Sequence, residues 1–340
     1  MERKVIVNNL KTLVFSVLFL FFATAEALAQ TRPMFIGGPP GMAQWRAVQM
    51  QRRQSRTLLY QQALEELRQN PKAADLPDCS GAPPGKACIP AAAPALDTSG
   101  TAGKKRALLI GNNDYPLPIP QLETPIHDIR KIADLLKTRF GYEVQALTNA
   151  GKADIAAALK QMAREVGKND SVLVMYAGHG YLMEDSNMGF WIPIDASVKT
   201  AANWISNTDI TRFLQAIPAR QVILISDSCF SGTLTKEQQI KSGASLSRDE
   251  ILKRRSVLVM SSGGDEPVSD EGKDGHSIFA WSLIHALSRV EGGTVGYNLY
   301  RQVHDQVRTE YPQEPNYGAV LSAGHSEGGD YLLEASTVRQ

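Results

Sequence analysis

Two short runs of this 340-residue chain carry the residue types needed for covalent chemistry: Ala177-Gly178-His179-Gly180 and Asp227-Ser228-Cys229-Phe230-Ser231-Gly232. A thiol beside an imidazole loses its proton near neutral pH and becomes a nucleophile, and the imidazolium then serves as the acid that a leaving amine requires. The glycines around His179 let a peptide backbone approach closely. The amides of Gly180 and Cys229 are suited to binding an oxyanion as it develops. Together these features describe amide cleavage by a cysteine–histidine pair.

Both runs follow short apolar segments, 172–176 and 222–225, and two further segments of the same kind lie at 107–110 and 257–260. Runs of Val, Ile and Leu this short, bounded by polar turns, predict strands buried on both faces. Between and after them, apolar residues recur at helical spacing: Ile126, Ile129, Ile132, Leu135 and Leu136, then Ile155, Leu159, Met162 and Val166, then Ile210, Phe213, Leu214 and Ile217, with two more helices near 278–287 and 299–307. Alternation of this sort predicts an α/β fold of three layers, α/β/α, around a mostly parallel sheet over 104–335. In such sheets ligands bind just beyond the carboxyl ends of the strands, where His179 and Cys229 fall.

AGHG after one strand and DSCFSG after the next strong one resemble the caspase-like cysteine peptidases of family C14, in particular their bacterial and metacaspase branch. His179 and Cys229 stand fifty residues apart, the spacing familiar from caspases. ALLIGNNDY at the domain's start, IHD at 126–128, GFWIPIDA and GHSIFAWSLIHAL add to the likeness. The resemblance implies a caspase-like fold, a catalytic dyad of His179 and Cys229, and a P1 pocket lined by Asp128 and Asp227. Two carboxylates in a partly desolvated pocket favour Arg or Lys over an acidic side chain. The context of Cys229 departs from the animal-caspase QAC pattern, so specificity for aspartate does not carry over. Where calcium-dependent metacaspases have an acidic cluster beyond the cysteine, this chain has Thr235, Lys236 and Glu237, and Asp185 and Asp195 are isolated. No metal or other cofactor is expected.

The remaining sequence frames this domain. Arg3 and Lys4, the apolar run 13–23 and the small residues Ala27 and Ala29 predict a signal peptide over 1–29 and export to the periplasm or beyond, with no stable membrane span after cleavage. Residues 30–70 read as a helical arm rich in arginine, and 71–103, rich in Pro, Ala and Gly, as a linker in which Cys79 and Cys88 are close enough to pair. A net charge of +1 gives no global field toward nucleic acid or anionic lipid, so specificity must be local, and the resemblance to peptidases implies polypeptide substrates as partners. The polar, basic segment 233–255 reads as an activation linker open to self-processing. Ser228 and Ser231 read as loop hydrogen-bonders, and His127, His276, His285, His304 and His325 as structural. The alternative to a peptidase is a caspase-fold binding or scaffold protein of the envelope.

Overall fold

The structure, a computed structural model, describes residues 103–183, 188–228, 234, 237–240, 247–263, 272–311 and 313–336. The signal peptide, arm, linker and Cys79–Cys88 readings lie outside these residues, as do Cys229, Ser231 and Asp185.

A central sheet of seven strands has the order β2-β1-β3-β7-β9-β11-β8. Its parallel part comprises β1 (Lys105–Gly111), β2 (Glu143–Thr148), β3 (Ser171–Ala177), β7 (Gln221–Asp227) and β9 (Ser256–Ser261). The last two strands, β11 (Asn316–Ala319) and β8 (Gln238–Gln239), are added antiparallel to their neighbours. The four predicted strands are β1, β3, β7 and β9, nearly every residue of which is buried. Alternate residues face opposite layers, as the pleat requires. Ala107, Leu109, Leu173, Met175, Ile223 and Ile225 pack under α1 (Pro125–Phe140), α5 (Ile278–Arg289) and α6 (Gly296–Glu310). Leu108, Ile110, Val172, Val174, Val222 and Leu224 pack under α2 (Lys152–Glu165) and α3 (Asn207–Ala216) on the other face. The three-layer α/β/α architecture follows directly from this division.

A second, antiparallel sheet of β4 (Gly180–Met183), β5 (Met188–Trp191) and β6 (Ile205–Ser206) springs from the end of β3 around its own small core of Tyr115, Phe190, Ile192 and Trp204. β10 (Gly293–Val295) and β12 (Leu332–Glu334) form a third, two-stranded sheet. Among the described residues no helix is long and apolar enough to cross a membrane.

One expectation requires correction. The segment 233–255 is not a linker throughout, because α4 (Arg248–Lys253) occupies its last part. Only Ile251 of that helix is buried, so no apolar stripe announces it. It is started instead by a capping box, in which the Ser247 hydroxyl accepts from the Glu250 amide and the Glu250 carboxylate accepts in return. Arg254 and Arg255 then donate to the carbonyls of Glu327, Ile217 and Ala219.

Candidate active site

The strand registers bring the residues that lead into the two reactive runs to one edge. Ala177 at the end of β3 is paired with Asp227 at the end of β7, so His179 and Cys229 each follow a paired position by two residues on adjacent parallel strands. Neighbouring strands lie only about 4.8 Å apart. The exits are also stitched together, since the Gly178 amide donates to the Asp227 carbonyl at 3.2 Å. Gly178 is required here: a Cβ would stand 2.6 Å from the Tyr115 hydroxyl and 2.9 Å from that of Tyr176.

Those two hydroxyls hold the His179 backbone. The His179 amide donates to the Tyr115 hydroxyl at 3.0 Å, and that hydroxyl donates to the Ile192 carbonyl at 3.0 Å. The Tyr176 hydroxyl lies 2.9 Å from the carbonyls of both His179 and Ile192 and shares its one proton between them. The His179 ring, 4.7 Å from that of Tyr115, places Nε2 2.7 Å from the Pro120 carbonyl oxygen. A carbonyl can only accept, so Nε2 carries the proton and Nδ1 is the basic nitrogen of the neutral ring. Pro120 thus orients the imidazole, a role the sequence could not disclose because a main-chain oxygen has no signature.

From the other exit, the Trp191 indole, stacked on Tyr176 at 4.4 Å, donates to Ser226 Oγ at 3.1 Å, and Ser226 Oγ lies 3.1 Å from Ser228 Oγ. The histidine-bearing and cysteine-bearing strand ends therefore share one buried network. Gly180 is the first residue of β4 and pairs with Trp191.

Asp128 and Asp227 come together through Ser277, the N-cap of α5. Its hydroxyl donates to Asp227 Oδ2 at 2.6 Å and its amide to Asp128 Oδ2 at 3.4 Å. Both acids are buried, Asp128 completely. Burial raises the Asp128 carboxyl above its ordinary value, and a hydrogen bond from His276, at 2.6 Å from Oδ1, works in the opposite direction together with Ser277 and Thr124. His276 is therefore part of this cluster and not an isolated structural histidine. Its partner in the sequence is too remote for spacing to reveal. Asp195 receives the Lys152 amide at the start of α2, and Glu237 accepts from the Ser322 amide, so both serve local structure.

The caspase-domain model of peptidase family C14 matches residues 104–322. The chain belongs to that family. Among its curated relatives, metacaspase-7 of Arabidopsis thaliana is 29% identical over 157 residues, covering 42% of this chain and 38% of that protein. Metacaspase-1 of Debaryomyces hansenii is 23% identical over 299 residues, which is 66% of each chain. The chain spans well under half the length of the Arabidopsis metacaspases it matches, 38% in each case. Caspase-1 of Spodoptera frugiperda is a structural neighbour at 14% identity and a TM-score of 0.46, over 64% of this chain and 86% of that one. The caspase domain as matched ends at 322, whereas ordered strands continue to Glu334.

Proposed function

We infer that this caspase-domain protein is an exported cysteine endopeptidase that cleaves polypeptides after Arg or Lys. The observation that carries the reading is the register of β3 and β7, which launches His179 and Cys229 from paired positions at the carboxyl edge of the sheet. The leader-like residues 1–29 support export, to the periplasm or outside the cell.

In the proposed reaction the Cys229 thiol gives its proton to His179 Nδ1, whose ring is fixed by Pro120, and the thiolate attacks the scissile carbonyl carbon. The amides of Gly180 and Cys229 bind the resulting oxyanion. Collapse breaks the C–N bond, the His179 proton leaves with the amine, and an acyl-enzyme remains. His179 then takes a proton from water, whose oxygen displaces the thiolate. Asp128 and Asp227, held by Ser277, receive the cationic P1 side chain. The same preference makes the basic segment 233–255 a candidate for self-processing.

The test is hydrolysis of fluorogenic peptides that differ only at P1, by the mature protein beside Cys229→Ala and His179→Ala, with and without calcium. Turnover of Arg and Lys peptides with Asp and Ala peptides spared, and a loss of at least about a thousandfold in either variant, is the expected outcome. Cleavage after Asp would overturn the pocket assignment. No turnover on any peptide would favour a binding or scaffold role.

A further inference from the structure

The acid pair is joined to two histidines by a turn whose geometry is specific. In Lys273-Asp274-Gly275-His276 the central residues both have positive φ, 56° and 77°, Lys273 bridges His276 antiparallel, and the His276 amide donates to the Lys273 carbonyl at 2.9 Å. Two successive left-handed residues in the order Asp-Gly make a type I′ turn. The turn folds His276 back over the start of α1. There its Nδ1 meets Asp128 Oδ1 at 2.6 Å, and its ring stacks on His127 with centroids 4.1 Å apart and planes 10° from parallel. His127 Nδ1 donates in turn to the Gly275 carbonyl at 3.0 Å. The turn and the first turn of α1 are thus latched by two imidazoles.

This latch can change charge without changing shape. Facing a carboxylate, His276 Nδ1 carries a proton in both the neutral and the cationic ring, and protonation adds hydrogen only at Nε2. The bond to Asp128 is kept in both forms. With His276 neutral, Asp128 and Asp227 present two negative charges to a ligand, whereas with His276 cationic one of them is cancelled at contact distance.

We propose that His276 is a specificity-determining residue: its charge, at contact distance from Asp128, sets how strongly the Asp128–Asp227 pocket prefers a cationic side chain. The proposal rests on the peptidase reading and on the pocket that reading assigns. Among the described residues, the charged and titratable groups around His276 are Asp128 and His127 on α1, Asp227 beyond Ser277, and Lys273 and Asp274 in its own turn. Lys273 is engaged by Glu310 of α6 at 2.6 Å and lies over the Trp281 ring, and Asp274 accepts from the Trp281 indole at 3.0 Å, so both are committed elsewhere. The buried, poorly solvated Asp128 carboxylate makes the pocket sensitive to a neighbouring cation.

The catalytic pair titrates too, so the readout must cancel it. Two peptides identical except for P1 arginine or citrulline, which has arginine's shape without its charge, are compared by kcat/KM from pH 5 to 8.5. Their ratio reports the pocket alone. In the unmodified protein the arginine preference is expected to fall by about tenfold toward the acid end, the order of effect of one unit charge in a partly desolvated site. His276→Asn, which keeps a donor to Asp128 but cannot be charged, gives a flat ratio. His276→Gln, which also keeps a donor and cannot be charged, gives the same flat ratio. A pH-independent arginine preference in the unmodified protein, or the same pH dependence in His276→Asn, overturns the proposal and leaves the peptidase reading standing. Cleavage of neither peptide overturns the peptidase reading instead, and cleavage of both with no arginine preference at any pH overturns the pocket assignment and the proposal with it. Should His276→Asn not fold, the unmodified protein and His276→Gln decide between these outcomes.

Discussion

His179 is buried at 7% exposure, with its amide on one tyrosine hydroxyl, its carbonyl beside another, and its Nε2 on a proline carbonyl. In the proposed reaction each contact removes a freedom that the proton-transferring ring should not have, because productive geometry tolerates errors of well under an ångström. Tyr115→Phe keeps the ring contact but strands the His179 amide, while the Ile192 carbonyl keeps the Tyr176 hydroxyl, at a local cost of about 1–3 kcal/mol. The expected result is a kcat lower by about tenfold with KM little changed, alongside a lower melting temperature; a KM effect alone would show that Tyr115 shapes binding and not the dyad. At this scale the sequence pointed to side chains at the ends of strands, His179 and Asp227, and to Asp128 in the first turn of a helix, and the structure places each of the three on the element expected. It was silent on Pro120, which acts through its main chain. It showed no partner for His276, because Asp128 is 148 positions away and is reached only through a turn.

Strands buried on both faces announce themselves as apolar runs, which is why β1, β3, β7 and β9 were legible. β2 was not, because EVQALT forms the sheet's edge and leaves Glu143, Gln145, Ala146 and Thr148 exposed. The two glutamines of β8 and the NYGA of β11 carry no strand signature of their own and are recruited by pairing. The same logic hid α4, a helix made by its cap. Its folding has a consequence for self-processing: residues 247–255 would have to unwind to enter any cleft, and Arg254 and Arg255 would have to give up their carbonyl acceptors. Any Cys229-dependent cut in 233–255 is therefore expected before Ser247, at Lys236 or Lys241. Mass spectrometry of the protein and of Cys229→Ala decides this, and a cut at Arg254 or Arg255 would show that the anchor opens.

Across the whole domain, the layer under α1, α5 and α6 contains a knot of buried phenols. Tyr142 and Tyr331 share a 2.7 Å hydroxyl contact, and Tyr317 donates to Asp330 at 2.7 Å. Burial pushes all three phenols above their ordinary value, Tyr317 and Tyr331 well above it. The folded protein therefore keeps these protons where the unfolded chain, titrating near pH 10, releases them. Their contribution is constant below that value and is lost as pH rises through it, by about 1.4 kcal/mol per pH unit for each phenol. Urea midpoints should hold level to about pH 9 and then fall, less steeply in Tyr142→Phe; an unchanged slope in that variant would remove Tyr142 from this account. Close by, the Lys105 ammonium bonds the carbonyls of Phe140 and Glu334, and the Ser336 amide donates to Arg139. The first and last strands of the described domain thus meet at the end of the sheet away from His179. The two ends of the described domain are thus neighbours, so a circular permutant that splices Lys105 to Ser336 by a short linker would leave the His179 edge of the sheet untouched.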